Sequence, residues 1–179
     1  MSDEETELNP PVGPDDHVSG NADAPITLVE YGDYQCPYCG MAHPIVKELQ
    51  REFGDSLRLV FRNMPLANVH PHAEAAAEAA EAVAELGDFW AMHDLLYENQ
   101  SNLGDAALAR YAVQAGVDER AFSTALQSGA PRARVQRDLE GALRSGANGT
   151  PTFFINGVRY DGSWQLEPFV EVLRSLLND

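Results

Sequence analysis

The sequence predicts an α/β fold in which a strand–helix–strand unit is followed by a block of helices and completed by a hairpin and a final helix. Three observations carry this expectation. Two short β-branched, apolar runs, Ile26–Tyr31 and Leu57–Arg62, bracket a helical pattern. From about Pro71 to Ser145 the chain is alanine-rich and reads as consecutive helices. After Thr152 the strand pattern returns, with Asn156-Gly157 as a two-residue hairpin turn.

Regular structure is expected to begin after Ala24-Pro25. Ile26–Tyr31 reads as a buried strand, and Gly32 to Gln35 as the turn that ends it. From Pro37 the pattern becomes helical, with Met41, Ile45, Leu49 and Phe53 recurring at four-residue steps and Gly54 as the stop. With Leu57–Arg62 this makes a βαβ unit, whose crossover should be right-handed. In the helical block, Glu74, Glu78, Glu81 and Glu85 form one acidic stripe, expected to face solvent. Gly87 can close that helix, and Asp88 can cap the next, Phe89 to about Asn99. Asp105 and Asp118 are read as caps of a third and a fourth helix, ending at Gly116 and near Gly129. Pro131 opens a fifth that Gly146 closes, with Arg134, Arg137 and Arg144 on one side as a salt-bridged surface. Thr152–Ile155 and Val158–Asp161 are the hairpin strands. Leu166 to Leu177 is an amphipathic helix that presents Phe169, Val170, Leu173 and Leu177 on one face.

Composition narrows the function. The chain has 179 residues, and 28 acidic against 12 basic side chains give a net charge of −16. A nucleic-acid backbone or an anionic membrane surface would repel it. Six of the acids and no base lie within Met1–Asp16, and with Pro10, Pro11 and Pro14 they mark residues 1–15 as a disordered acidic tail. The tail lacks the basic start and apolar stretch of a secretory leader. Nor is there a run of ~18 apolar residues to span a membrane. The expected location is therefore cytoplasmic. Eleven of the bases are arginine and only Lys47 is lysine. An acidic, lysine-poor surface suits a salt-rich cytoplasm, and GC-rich coding is the alternative source of the same bias.

The two cysteines, Cys36 and Cys39, cannot staple a fold. Their spacing suits redox chemistry instead. Near a helix start, side chains at i and i+3 share one side, so the sulfurs can close into a small ring. The unpaired N–H groups and dipole there favour a thiolate on the first cysteine, below the ~8.5 of a free thiol. Cys36 is thus read as the nucleophile, and Cys39, one turn in, as the resolving thiol. Pro37 is tolerated in the first turn and stiffens the ring. A metal reading competes. Cys36, Cys39 and His43 fall on one helical face, and His70, His72 or His93 could complete a tetrahedral zinc set. The remaining readings are a pair of packing cysteines and a regulatory disulfide without turnover.

A second element is Gly149-Thr150-Pro151-Thr152 at the entrance to the third apolar strand, where proline is allowed. With it the chain resembles the DsbA-like thiol–disulfide oxidoreductases of the thioredoxin superfamily. The resemblance is carried by Val29–Cys39, Phe61–Leu66, Phe89-Trp90-Ala91-Met92-His93-Asp94 and Gly149–Gly157, and extends from about His17 to the C-terminus. It implies a thioredoxin-like core of residues 16–67 and 147–179, with residues 68–146 inserted as a helical domain. It implies a cis-proline loop, in which Thr150 and Pro151 hold the substrate backbone beside Pro37 and Tyr38. It also implies a buried carboxylate six residues before the first cysteine. Glu30 holds that place and could take the proton of the resolving thiol, if burial raises its pKa; the competing reading is an edge glutamate reaching solvent. Asp33 reads as a turn or capping residue, and Trp90 and His93 as helical-domain core and interface. His93 could alternatively stabilise a thiolate.

The function expected is thiol–disulfide exchange with substrate proteins or low-molecular-weight thiols, sustained by a redox recycling partner. Oxidase, reductase and isomerase directions all stay open. No organic cofactor and no metal are expected, because the electrons reside in Cys36 and Cys39. The alternatives are a zinc- or partner-binding module built on Cys36, Cys39 and His43, and a glutathione-dependent enzyme on the same fold. The presence of Cys39 counts against the latter.

Overall fold

The computed structural model describes residues 6–179. These form a five-stranded sheet of β1 (His17–Gly20), β2 (Ile26–Gly32), β3 (Leu57–Asn63), β4 (Thr152–Ile155) and β5 (Val158–Tyr160), in the order β1-β3-β2-β4-β5. Only β2 and β3 are parallel; the other neighbours are antiparallel. The helices are α1 (Pro37–Phe53), α2 (Ala73–Leu86), α3 (Phe89–Glu98), α4 (Asp105–Gln114), α5 (Glu119–Gln127), α6 (Ala130–Arg144) and α7 (Leu166–Ser175). The expected order is observed: a βαβ half, a run of helices, then a ββα half.

Strand alternation sorts the core. Ile26, Leu28, Leu57, Leu59 and Phe153 face α1 and α7, where Leu49, Phe53, Phe169 and Leu173 meet them. Val29, Tyr31, Val60 and Phe154 face the other way, toward Leu8, Ala142 and Ala147. The helices from α2 to α5 share their own core, and α2 lies at its centre. Ala73, Ala76, Ala77, Ala79, Ala80 and Ala82 are all buried, and their small side chains let neighbours approach α2 from several sides. Trp90 packs against both this core and the α1 side of the sheet, and its Nε1–H donates to Val18 O at 3.1 Å. It joins the two parts, as an interface residue should. Asp88 and Asp118 cap α3 and α5 by accepting from the N–H of Ala91 and Ala121. Asn156 and Gly157 both have positive φ, as a tight hairpin turn requires.

Several expectations need correction. Residues 1–5 of the predicted tail lie outside the described residues. From Thr6 onward the segment is built in. Leu8 is buried and its N–H bonds Gly157 O, Glu7 bridges to Val158, and Asp16 pairs with Arg62 at 2.8 Å. Its acid and prolines are used by partners more than forty residues away, which local composition does not reveal. β1 lies where no regular structure was expected, because His-Val-Ser-Gly carries no apolar alternation. In α1 the buried stripe is Cys39, Ala42, Val46, Leu49 and Phe53, while Met41 is exposed. Four-residue steps drift by about 40° each on a helix, so Met41 has left the face that Phe53 defines. The acidic stripe of α2 is not wholly solvated: Glu81 is 3% exposed and meets His17 Nε2 at 2.6 Å. Asp105 is the first helical residue after Gly104, which takes the cap position. Leu177 lies beyond α7 and is exposed. Among the described residues no helix is long and apolar enough to cross a membrane.

Candidate active site

β2 ends at Gly32, and the chain turns at once into α1. Asp33 makes that turn. Its Oδ1 accepts the N–H of Gln35 at 2.8 Å and of Cys36 at 3.1 Å, and its Oδ2 accepts Leu66 N–H and lies 2.8 Å from His70 Nδ1. A side chain that bonds its own backbone two and three residues on fixes the turn. Cys36 is the N-cap residue of α1, and Pro37 occupies the first turn, where a missing N–H is harmless. Pro37 and Tyr38 are exposed, Tyr38 at 62%. Cys36 keeps 3% of its surface and Cys39 none, so the first cysteine is the one a partner can reach. Both are free thiols.

The other side of the site is the loop before β4. The Thr150–Pro151 peptide is cis. The Cys36 thiol donates to Thr150 O at 3.6 Å. The buried Thr150 Oγ1 has no hydrogen-bond partner among the described residues. Beside this loop lies a cavity of about 400 Å³, lined by Asn148, Thr150, Pro151, Arg159, Tyr160 and Trp164 among others.

The two thiols differ in acidity. The hydrogen bond from Cys39 to Cys36 acts first. Aided by Thr150 and the backbone N–H groups of Cys39 and Tyr38, it outweighs burial and lowers Cys36 to about 5. Burial pushes Cys39 well above its ordinary value, reinforced by that same bond and by the Glu30 charge. Glu30 lies in β2, on the α1 side of the sheet, 2% exposed and with Oε1 unpaired among the described residues. Burial alone raises it to about 8. The reading of Glu30 as an edge glutamate reaching solvent is thereby excluded.

Comparisons with known proteins agree with this geometry. The family model described as Thioredoxin matches residues 13–175. The chain belongs to the thioredoxin family. Among solved structures it is similar to a thioredoxin-like oxidoreductase from Silicibacter pomeroyi, with 26% identity, a TM-score of 0.81, and 93% of this chain and 95% of that one covered. It is also similar to oxidised BdbD from Bacillus subtilis, with 25% identity, a TM-score of 0.79, and coverage of 90% and 92%. Curated relatives include a Salinispora arenicola protein named a Na(+)/H(+) antiporter, 48% identical over 162 residues. The match covers 90% of this chain but 25% of that protein, so the chain spans about a quarter of the length of the curated relatives it matches.

Within this thioredoxin-family site, the histidines do not gather round the cysteines. His70 turns to Asp33, and His72 is exposed. His93 Nδ1 meets the Tyr34 hydroxyl at 2.9 Å inside a cluster of aromatic rings, and burial drives its pKa well down, so it is neutral. Among the described residues the group with metal-ligand spacing is His43, His93 and Asp94, without either cysteine. The zinc set of Cys36, Cys39 and His43 is therefore not assembled. Two site neighbours escaped the sequence reading. Gln100, after α3, donates through Nε2 to both Tyr34 O and Cys36 O at 2.9 Å, tying the helical insert to the redox turn. A lone glutamine outside any motif gives no signal of that. Tyr97, also from α3, puts a buried, unpaired hydroxyl above Gly32, where an added Cβ would come within 2.7 Å of it. The aromatic character of α3 signalled packing but not that placement.

Proposed function

We propose that the protein exchanges disulfides with substrate proteins or low-molecular-weight thiols through Cys36, with Cys39 resolving and Glu30 serving as proton acceptor. The observation that carries this reading is the split between the thiols: Cys36 lowered to about 5 and Cys39 raised, with an unpaired carboxyl raised to about 8 beneath them. At neutral pH the Cys36 thiolate attacks one sulfur of a substrate disulfide and expels the other as thiolate, leaving a mixed disulfide. The ionised fraction of Glu30 takes the Cys39 proton, and the Cys39 thiolate attacks Cys36 Sγ. The Cys36–Cys39 bond forms, the mixed disulfide breaks, and the substrate leaves as a second thiolate. Two electrons have moved from the cysteine pair to the substrate. The reverse sequence oxidises a dithiol, so the pair is the only redox centre the reaction needs. The exposed Pro37 and Tyr38 and the loop of Thr150 and Pro151 flank Cys36, and they would seat an extended substrate.

The direction of flow depends on compartment. A lowered nucleophile stabilises the dithiol and makes its disulfide more oxidising. The value of about 5 for Cys36 lies between the ~7 of thioredoxin and the ~3.5 of DsbA. We therefore expect a potential between roughly −270 and −120 mV. In the cytoplasmic setting expected from the sequence, a thiol pool would keep such a pair reduced, and it would act as a reductase with that pool as recycling partner. In an oxidising compartment it would donate disulfides. Ion transport is what the antiporter name says of those longer relatives as whole proteins.

The test is turnover of a model disulfide with Cys36→Ser and Cys39→Ser, combined with redox titration against glutathione. Cys36→Ser should abolish exchange, and Cys39→Ser should accumulate mixed disulfides. Exchange at the wild-type rate without Cys36 would overturn the proposal.

A further inference from the structure

Outside the redox pair, one cluster joins ligand-type side chains from two parts of the fold. His43 lies on α1, one turn beyond Cys39, and His93 and Asp94 lie on α3. One donor atom from each falls within 4.8 Å of the others. His43 Nε2 and Asp94 Oδ1 are 3.5 Å apart. A tetrahedral ion with bonds of about 2.0–2.1 Å holds its ligands roughly 3.3 Å apart, so this edge needs almost no adjustment. We propose that His43, His93 and Asp94 form a site for one divalent transition-metal ion of the zinc class, at the seam between the redox helix and the helical insert.

Three further observations support it. Asp94 Oδ1 is buried and has no hydrogen-bond partner among the described residues, a state that a cation would relieve. His93 is already oriented: its Nδ1 is bonded to the Tyr34 hydroxyl, which leaves Nε2 for the metal and places a supporting partner behind the ligand. A void of about 10 Å³ lined by His43, Lys47, Trp90 and His93 adjoins the cluster. It is about the size of one water, the usual fourth ligand of a site with three protein donors. Two nitrogens and one carboxylate oxygen favour zinc-class ions over calcium or magnesium, which take oxygen ligands.

Lys47 gives the proposal a signature of its own. Its Nζ holds Asp94 Oδ2 at 2.8 Å, so it competes with a metal for the same carboxylate. The bound ion would fasten α1 to α3, and so fix the redox helix to the insert.

The experiment uses the full chain carrying Cys36→Ser and Cys39→Ser, so that thiolates cannot bind metal, and titrates it with Co²⁺ alone at neutral pH. Two signals are read: the visible absorption of the ion, and quenching of Trp90, whose ring lies 5.1 Å from that of His93, with Trp164→Phe added to isolate it. One equivalent should bind and quench Trp90. His43→Ala and the isosteric Asp94→Asn should each weaken binding at least about tenfold, and Lys47→Gln should tighten it several-fold. Absence of stoichiometric binding, or affinities unchanged in Asp94→Asn and Lys47→Gln, would overturn the site even if His43→Ala did not fold.

Discussion

Two neighbours on β2 are treated in opposite ways. Tyr31 faces the N-terminal segment, where its hydroxyl joins Arg62 at 3.0 Å. All five N–H groups of that arginine are used: two by Asp16, and the others by Pro10 O, Pro11 O and Tyr31. Glu30 faces α1, and it sits beneath the cysteines with Oε1 unpaired. Burial without a partner is costly for a carboxyl, so its proton is held to about 8. The contrast separates two uses of buried polarity. On one face of the sheet, saturated pairing fastens residues 6–16 to the core. On the other, an unpaired group stays ready to change protonation state near neutral pH, as proton transfer requires.

The largest expected effect comes from breaking the saturated side. Arg62→Ala leaves Asp16 buried beside β3 with no counter-charge. Loss of one partner from a buried pair costs about 3–5 kcal/mol. Urea denaturation should show that loss, while the pH profile of Cys36 alkylation keeps its midpoint near 5. A shifted midpoint would mean that the two faces are coupled.

Glu30→Gln should act in the other direction. Between pH 4.5 and about 8 the folded protein keeps a proton that the unfolded chain has released. Stability therefore falls as pH rises through that window, by roughly 3 kcal/mol at pH 7. The glutamine removes this penalty but leaves an amide unpaired, so the net gain should be roughly 1–2 kcal/mol at pH 7. Below pH 4.5 the penalty is gone and only the cost of the unpaired amide remains, so the variant should be less stable than wild type there, by roughly 1–2 kcal/mol. Denaturation of the disulfide form isolates the effect, because Cys36 does not titrate there. The same variant should slow resolution of the mixed disulfide, so stability and exchange rate should move oppositely.

How much of this was legible follows from the range of the interactions. The CxxC helix start, the Thr150-Pro151 strand entry and the order of elements are local patterns, and they were readable from neighbouring residues alone. The placement of Glu30 came from resemblance to a family, since no local rule says which way a strand glutamate points. What escaped was long-range pairing. Arg62 with Asp16, Glu81 with His17, and Gln100 with the carbonyls of Tyr34 and Cys36 are each joined across 46 or more residues. An acid without a local base reads as solvated, so sequence alone leaves residues 6–15 and Glu81 in solvent. β1 failed for a related reason: four residues with one strong apolar side chain become a strand only because β3 offers an edge.

The finest division between the two faces lies in a pair of tyrosines. Tyr31 and Tyr97 are both buried, but the first hydroxyl is bonded to a guanidinium and the second has no partner among the described residues. Tyr31→Phe removes a hydrogen bond to a charged group and should cost about 1.5–3 kcal/mol. Tyr97→Phe removes a buried hydroxyl that gains nothing from the fold, so stability should stay within about 0.5 kcal/mol of wild type or rise slightly. Parallel denaturation curves decide the matter. If Tyr97→Phe costs as much as Tyr31→Phe, the hydroxyl above Gly32 has a partner. Glu30 would then stand in a hydrated, bonded network, and the division between a saturated face and an unpaired one would fail at that point.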